Sequence, residues 1–594
     1  MIDSGSWLHP SVILMVGALL LPLIGKGAAK KAFIVLVPVL AFIDVWQYSP
    51  QGVYGVIQFM DWKLTFGRID KLSEIFAYVM SLMCIIGTIY SLHEEDDRQM
   101  IAAWFYVAGS LGVILAGDYL VLFLFSEIMA FSSVFLVWFR RSPKSIATGF
   151  RYLLVHTFGG LVLLAGFVLR YKATGDLSFT QLDVHNPALY TYIIMVGFMV
   201  NAAVPPLHSW LPDTYAEASV TGAVFMCAFT TKTAIYTLIR CLAGMEILIV
   251  FGVIMALYGV IYAILENDCR RLLAWSIMSQ LGYMVCGVGI GTELAINGAC
   301  AHAFAHILYK GLLFMGCGSV LYMTGKSKFT DLGGLYRKMP RTLVYIMVGA
   351  LSMAALPFFS GFVTKSMIIA AGFEEHLYWV GFGLTMASAG TFLYVCVKLP
   401  YLMFFGETRA SEETMQKAAD PPWNMQLAMA IGAFFCIFIG SYTPFLYNML
   451  PFANTFNAYT PMHISETMQV VAATALACYL LRRKLQPTAE ISLDLDWFYR
   501  MAGRGFFWLA KVPLQTIDNW VGVIYRIIGL GPLMVISKFW SWFDWNAIDG
   551  TIDGSARGVR GAGGVVRRSQ DGLQASIFWA SAIGGVLLIA YVFS

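Results

Sequence analysis

The feature that most restricts this chain is a succession of apolar runs, each about as long as a bilayer is thick. A hydrocarbon core of about 30 Å takes about 20 apolar residues to cross as a helix. Such runs lie near 10–25, 31–47, 73–93, 101–117, 118–138, 149–170, 190–210 and 219–241. They continue near 245–265, 272–291, 295–324, 342–372, 376–405, 426–447, 465–481 and 574–593. The pattern predicts an all-α polytopic membrane protein with about 16 transmembrane helices. Composition supports it: 59% of the 594 residues are hydrophobic and 12% charged, against about 25% charged in a soluble chain. So few charges could not cover a globule of this size, and so many aromatics exclude a disordered chain.

The segments between runs divide the chain. Residues 1–100 hold the N-terminal helices and, around 48–72, a polar stretch of alternating apolar positions that predicts an external hairpin. Two five-helix blocks follow at 101–241 and 245–405, then additional helices at 406–481. Residues 482–573 are too polar to span. Their Trp and Phe with scattered Lys and Arg fit an amphipathic helix on the cytoplasmic surface, anchoring the chain or clamping partner subunits. The basic, glycine-rich GSARGVRGAGGVVRRSQDG leads from it to a last span at 574–594. If the N-terminus faces outward, the inward segments carry 29 of the 39 Lys and Arg residues and the outward ones six. Positive residues favour the cytoplasmic side, so both termini are expected on the periplasmic or external side.

The ten cysteines are dispersed, with no C-x-x-C. The reading is of small apolar side chains, with no disulfide framework, no metal and no cofactor in this chain. MIDSGSWLHP lacks the basic region of a secretory signal, so the first run is kept as a span. Nothing points to nucleic acid; the lipid bilayer is the one partner that composition implies.

Five charged residues fall well inside spans, away from their ends: Glu127, Lys232, Lys310, Lys365 and Lys398. Each costs roughly 2.5–3.5 kcal/mol at a bilayer centre on insertion scales. A lone lysine can snorkel to the interface, and Lys365 and Lys398, closer to predicted helix ends, are the candidates for that. For the set as a whole, a hydrophilic path explains more. In AHAFAHILYKGLLFMGCG, His302, His306 and Lys310 recur every four residues and share one helix face. H-x-x-x-H can bind zinc, but the adjacent glutamate of H-E-x-x-H and a third ligand are lacking. Two histidines satisfied within a core are another alternative. A proton relay is favoured, because imidazole exchanges protons near neutrality and a desolvated lysine can change charge.

Two spans look broken. The seventh contains VNAAVPPLHSWLPD and the twelfth MAALPFFSGFVTK, with Pro205, Pro206 and Pro357 removing helix donors. Paired broken helices at membrane depth mark transport paths. The two lie at corresponding positions of the five-helix blocks, and Lys232 and Lys398 each sit in the last helix of a block.

FSEIMAFSS, PPLHSWLPDTYAEASVTGA, TKTAIYTLIR, NDCRRLLAWSIMSQLGYM, HAFAHILYKGLLF and LPFFSGFVTK, taken as an ordered set over about residues 70–410, closely resemble the antiporter-like membrane subunits. That family spans respiratory complex I, membrane-bound hydrogenases and Mrp-type cation/proton antiporters. The sixteen-span plan and late surface helix resemble the longest complex I member; the residues around Lys232 are more similar to Mrp and shorter complex I members. The resemblance implies two inverted five-helix repeats, each with a half-channel. It also implies a proton or ion pathway through Glu127, Lys232, His302, His306, Lys310, Lys365 and Lys398.

One departure stands out. The family usually places a lysine on the seventh helix, paired with the fifth-helix glutamate; counting back from Pro206, that position is Asn201. Asparagine does not titrate, so either Lys232 becomes the partner of Glu127 or the first half-channel is altered or silent, altered function being favoured over loss. His156 and His208 are auxiliary candidates as substitute proton carriers. The expected function is proton or cation/proton translocation by one subunit of a multi-subunit complex in a bacterial or archaeal cytoplasmic membrane. Its expected partners are other membrane subunits and peripheral redox subunits. The alternatives are a Na⁺/H⁺ or K⁺/H⁺ antiporter module without redox chemistry, an inorganic-carbon uptake subunit, and a non-pumping scaffold.

Overall fold

A computed structural model of the protein describes residues 7–47, 51–481, 486–488, 490 and 492–593. Residues 1–6, which carry the start of MIDSGSWLHP, the first positions of the 48–72 stretch and residues 482–485 lie outside the described set. The chain forms two units, Met1–Leu493 and Asp494–Ser594.

The first unit begins with α1 (Pro10–Leu20) and α2 (Ala28–Gln47), then the antiparallel strands β1 (Gly52–Phe59) and β2 (Trp62–Ile69). The strands pair Phe59 with Trp62 across a two-residue turn in which Met60 has φ 52°, the backbone such tight hairpins need. Helices α3 (Lys71–Tyr90), α4 (Asp97–Leu115), α5 (Tyr119–Trp138) and α6 (Pro143–Thr174) follow. Next come the short pieces α7 (Leu189–Asn201), α8 (Trp210–Glu217), α9 (Val220–Met226) and α10 (Thr230–Leu242). Then α11 (Ile247–Leu265), α12 (Cys269–Ile290) and α13 (Glu293–Thr324) lead to the split pair α14 (Pro340–Met353) and α15 (Ser360–Glu374). The unit closes with α16 (Tyr378–Phe392), continued by π-helical turns to Phe405, and α17 (Glu412–Lys417), α18 (Trp423–Ser441), α19 (Pro444–Tyr447) and α20 (Pro461–Leu481).

Among the described residues, twelve helices are long and apolar enough to cross a membrane, with shorter apolar helices at Pro10–Leu23, Leu189–Asn201 and Pro340–Met353. The interior is α12 and α13, almost wholly buried. Glycines bring α11 and α12 together: a Cβ on Gly252 would lie 2.4 Å from the Cys286 nitrogen, and one on Gly282 2.4 Å from that of Ala256. Small residues permit such close backbone approach where lipid supplies no hydrophobic drive.

Features recur at a spacing of 150 residues. Helices α6 and α13 are both 32 residues long, capped by Gly175 and Gly325 in left-handed conformation (φ 69° and 70°). Asp118 and Asp268 each cap the following helix, and each forms an isolated bridge, to Ser178 and to Lys328. Close-packed Gly109 and Gly259 obey the same spacing.

The prolines break the seventh and twelfth spans as their chemistry requires, with positive φ at Ala203 (53°) and Ala355 (59°). A third break, between α9 and α10 at Cys227–Phe229, lies in the eighth span and carries no proline. In the second unit, α21 (Asp496–Leu509), α22 (Gln515–Ile524), α23 (Gly531–Phe543) and α24 (Asp549–Val592) join through π-helical turns into one helical run of 97 residues, about 145 Å at 1.5 Å per residue. The basic, glycine-rich stretch that leads to the last span is helical. No proline follows Pro532, so no backbone donor is lost and the helix propagates through the glycines.

Candidate functional site

Three of the four buried lysines share one placement: each donates to carbonyls left free at a helix C-terminus. Lys232 Nζ donates to the Cys227 carbonyl at 2.5 Å, at the end of α9, and to Thr231 Oγ1 at 3.1 Å. Lys365 Nζ donates to the Met353 carbonyl at 2.9 Å, the last residue of α14. Lys398 Nζ donates to the carbonyls of Ile264 (2.5 Å) and Glu266 (2.6 Å), where α11 ends. The last four carbonyls of a helix lack intrahelical donors, and the helix dipole is negative there, so a buried ammonium finds both partners and field. Lys365 is therefore not a snorkelling residue. It is 1% exposed and turns inward, over the Tyr283 ring at 5.0 Å. Lys398 does stand near a helix end, over the Phe329 ring at 5.6 Å.

Between these anchors runs the α13 face. Lys310 donates to the Ser276 hydroxyl and, at 3.3 Å, to the Leu273 carbonyl, both on α12. His306 is fully buried and neither ring nitrogen meets a protein partner; its ring lies 6.1 Å from that of His302 and 5.2 Å from that of Tyr309. His302 Nδ1 is 3.1 Å from Thr364 Oγ1, the neighbour of Lys365, and its Nε2 is 3.4 Å from the Tyr309 hydroxyl. The structure thus brings His306, His302 and Thr364 into succession, with Lys365 next to Thr364 on α15 and Lys310 one turn beyond His306. His306 lies within electrostatic reach of Lys232, Lys310 and Lys365. Among the described residues no group of three or more His, Cys, Asp or Glu could hold a metal ion.

Glu127, on α5, occupies a separate small pocket with Ser126, Tyr152, His156, Gly160, Asn201 and Thr230. No ion pair joins it to Lys232, whose ammonium is committed to Cys227 and Thr231; the expectation that Lys232 becomes its partner is not met. Instead His156 Nδ1 lies 2.9 Å from Asn201 Oδ1, and its buried Nε2 has no protein partner. Tyr152 OH meets Ser133 Oγ at 2.8 Å, and Thr230 Oγ1 meets Tyr106 OH at 2.6 Å. His208, the other auxiliary candidate, is buried elsewhere, its ring 5.2 Å from Tyr258 and 5.6 Å from Trp275.

Sequence reasoning missed the carbonyl partners of the lysines and the polar side chains Ser276 and Thr364. A break ahead of the lysine is the signal for the partners of Lys232 and Lys365; those of Lys398 and Lys310 lie on other helices and carry none. Ser276 and Thr364 also sit on other helices and carry no local signal. Just ahead of the third span, Asp70 at the start of α3 accepts two hydrogen bonds of 2.7 and 2.8 Å from Arg240 in the last turn of α10. Burial alone would raise the Asp70 carboxyl, but the bonds and charge of Arg240 outweigh it and hold its pKa below the ordinary value.

The family described as "NADH:quinone oxidoreductase/Mrp antiporter, TM" matches residues 116–392. A Na(+)/H(+) antiporter subunit from Alkalihalophilus pseudofirmus is 28% identical, the match covering 97% of this chain and 74% of that protein. Hydrogenase-4 component B of Escherichia coli is 27% identical over 68% of this chain and 67% of its own length. Among solved structures, the membrane-bound sulfane sulfur reductase, an archaeal respiratory membrane complex, contains a chain that superposes with TM-score 0.70 at 23% identity, covering 89% of this chain and 99% of that one.

Proposed function

We propose, from the premise that this chain belongs to the antiporter-like superfamily of complex I, membrane-bound hydrogenase and Mrp subunits, that it moves protons through the membrane as one subunit of a larger complex. The observation that carries the proposal is the line of buried ionisable groups Lys310, His306, His302 and Lys365, flanked by Lys232. A proton leaving Lys365 passes through Thr364 to His302, and the adjacent imidazole of His306 hands it toward Lys310. Each transfer changes the charge beside the next group, and in a medium of low dielectric that shifts the next equilibrium. The relay therefore needs hydroxyl and ring rotations but no helix motion. Redox partners would drive it by changing charge at one end.

Two five-helix repeats, 101–241 and 245–405, organise the path. The 150-residue spacing of caps, glycines and bridges supports them. Because five crossings separate their starts, the second runs inverted to the first. Counting the broken pairs as single crossings, we assign sixteen spans, and the distribution of Lys and Arg supports both termini outside. At the same spacing His156 is the counterpart of His306. We assign to it the proton-carrying role in the first half: Glu127 exchanges with His156, which Asn201 orients, and Tyr152 and Thr230 continue the polar contacts toward Lys232. The first half-channel is thus altered rather than silent.

Lys310→Ala decides the central relay. Proton transport by the intact complex in vesicles is expected to fall to background; transport at the parent rate would end this reading. A second reading, a cation/proton antiporter module without redox partners, is favoured by the 97% coverage against a relative from a Na(+)/H(+) antiporter. Transport that stops when sodium is replaced by choline, with no redox subunit copurifying, distinguishes it.

A further inference from the structure

Outside the two repeats, α20 carries polar residues that the relay does not use. A cavity of about 450 Å³ lies against it, its wall mostly apolar, with polar members that include Lys365, Ser366 and Glu374 of α15, Thr385 and Ser388 of α16, and His463, Glu466 and Thr467 of α20. Lys365 and Glu374 stand nine positions apart on one helix, about 13 Å along its axis, so the cavity runs lengthwise from the buried ammonium toward the helix end. Its volume is far above the roughly 10–15 Å³ that one water needs, and its walls offer the polar partners water requires.

His463 is built into this wall rather than left on its surface. Its ring stacks on Phe362 at 4.5 Å, three residues before Lys365. Its Nδ1 is held at 2.8 Å by the Ala458 carbonyl, which can only accept, so that nitrogen carries the proton of the neutral ring. Nε2, 3.5 Å from Thr467 Oγ1, is then the basic nitrogen on the cavity side. Glu466 lies one helical turn from His463 and lines the same cavity.

We infer that His463 and Glu466 form the proton port of the second half: a wet vestibule in which Nε2 of His463 and the Glu466 carboxylate exchange protons between Lys365 and bulk water. The inference rests on the relay proposed above and gives α20 a role in it. No bond but O–H and N–H is made or broken, and each proton accepted from water at Glu466 or His463 is matched by one delivered to Lys365, or the reverse.

Two measurements on the intact complex in vesicles test it. Thr467→Cys should be modified by a membrane-impermeant thiol reagent from one side of the membrane, against the labelling of the parent chain. His463→Ala and Glu466→Gln should each lower proton transport about tenfold or more, as expected for loss of a positioned acid–base group, while Glu466→Asp retains it. No modification from either side, or parent-level transport in both variants, overturns the port. Lys310→Ala separates the two claims. If it abolishes transport while the α20 variants do not, the port fails and the relay stands. If it changes nothing, the relay fails, and the port stands or falls on the thiol labelling together with its own variants.

Discussion

A single methyl group can test the first half of the path without removing any titratable residue. Gly160 lies on α6 one turn beyond His156, and a Cβ built on it would stand 2.2 Å from Glu127 Oε1, with Glu127 Cδ at 3.3 Å and Phe123 Cε2 at 3.7 Å. Carbon and oxygen come no closer than about 3.3 Å without repulsion, so in Gly160→Ala the carboxylate must retreat by about 1 Å. Glu127 is half-buried and Oε1 is the far end of a flexible side chain, so the retreat is cheap for the fold. Alanine in place of a helix-interior glycine favours the helix by about 0.5–1 kcal/mol, and the melting temperature of the purified complex should hold or rise slightly. Transport should nevertheless drop: His156 Nε2 has no protein partner, so exchange across the pocket it shares with Glu127 runs through a water, and displacing the carboxylate breaks that bridge, whose hydrogen bonds need about 2.6–3.2 Å. A fall of about tenfold or more is expected, similar to that of Glu127→Gln. The assay is proton uptake by vesicles holding the intact complex, paired with a melting curve. If Gly160→Ala transports like the parent while Glu127→Gln does not, Glu127 acts from some other position and the His156 assignment is wrong. A lowered melting temperature would show that the pocket cannot yield and would refute the reasoning about the side chain.

Two further outcomes follow from packing and charge. Gly282→Leu would force a side chain into the α11 backbone, where even a Cβ lies 2.4 Å from the Ala256 nitrogen and 2.5 Å from the Gly252 carbonyl oxygen. Overpacking of this kind costs about 1–3 kcal/mol or more; a melting curve matching the parent would show that the helices separate freely. Asp70→Asn should cost about 1–2 kcal/mol, the lower range for a charge-assisted hydrogen bond, since the Asp70 side chain is 36% exposed. Because the folded carboxyl titrates below its ordinary 3.8, its contribution is present above about pH 4 and is lost as pH falls through the folded value. The gap in melting temperature between parent and Asp70→Asn should close on acidification below pH 4, and a gap independent of pH would assign Asp70 a purely packing role.

The run lengths in the sequence located the long apolar helices because a bilayer allows little choice of length, and prolines located two of the three breaks because a missing N–H leaves a mark in the sequence. The break at Cys227–Ala228–Phe229 carries no such mark; what identifies it is Lys232, whose ammonium takes the Cys227 carbonyl. Run lengths alone put Lys365 near a helix end, within reach of the interface. It turns inward because the break ahead of it leaves the Met353 carbonyl free to accept from its ammonium. The contact of His156 with Asn201 joins residues 45 apart and could not be read locally. Their relation to the second half could, by counting: 150 residues separate His156 from His306, as they do Asp118 from Asp268 and Gly175 from Gly325. The same count pairs Lys310 with Gly160. At the position where one half carries the lysine of the relay, the other carries no side chain at all, and the carboxylate of Glu127 approaches from α5 into the space left open. On the repeat proposed above, a base in one half and an acid in the other would stand at equivalent points. The lysine expected at Asn201 is therefore not needed to keep a charge in the first half, provided that His156 can take the proton Glu127 gives up.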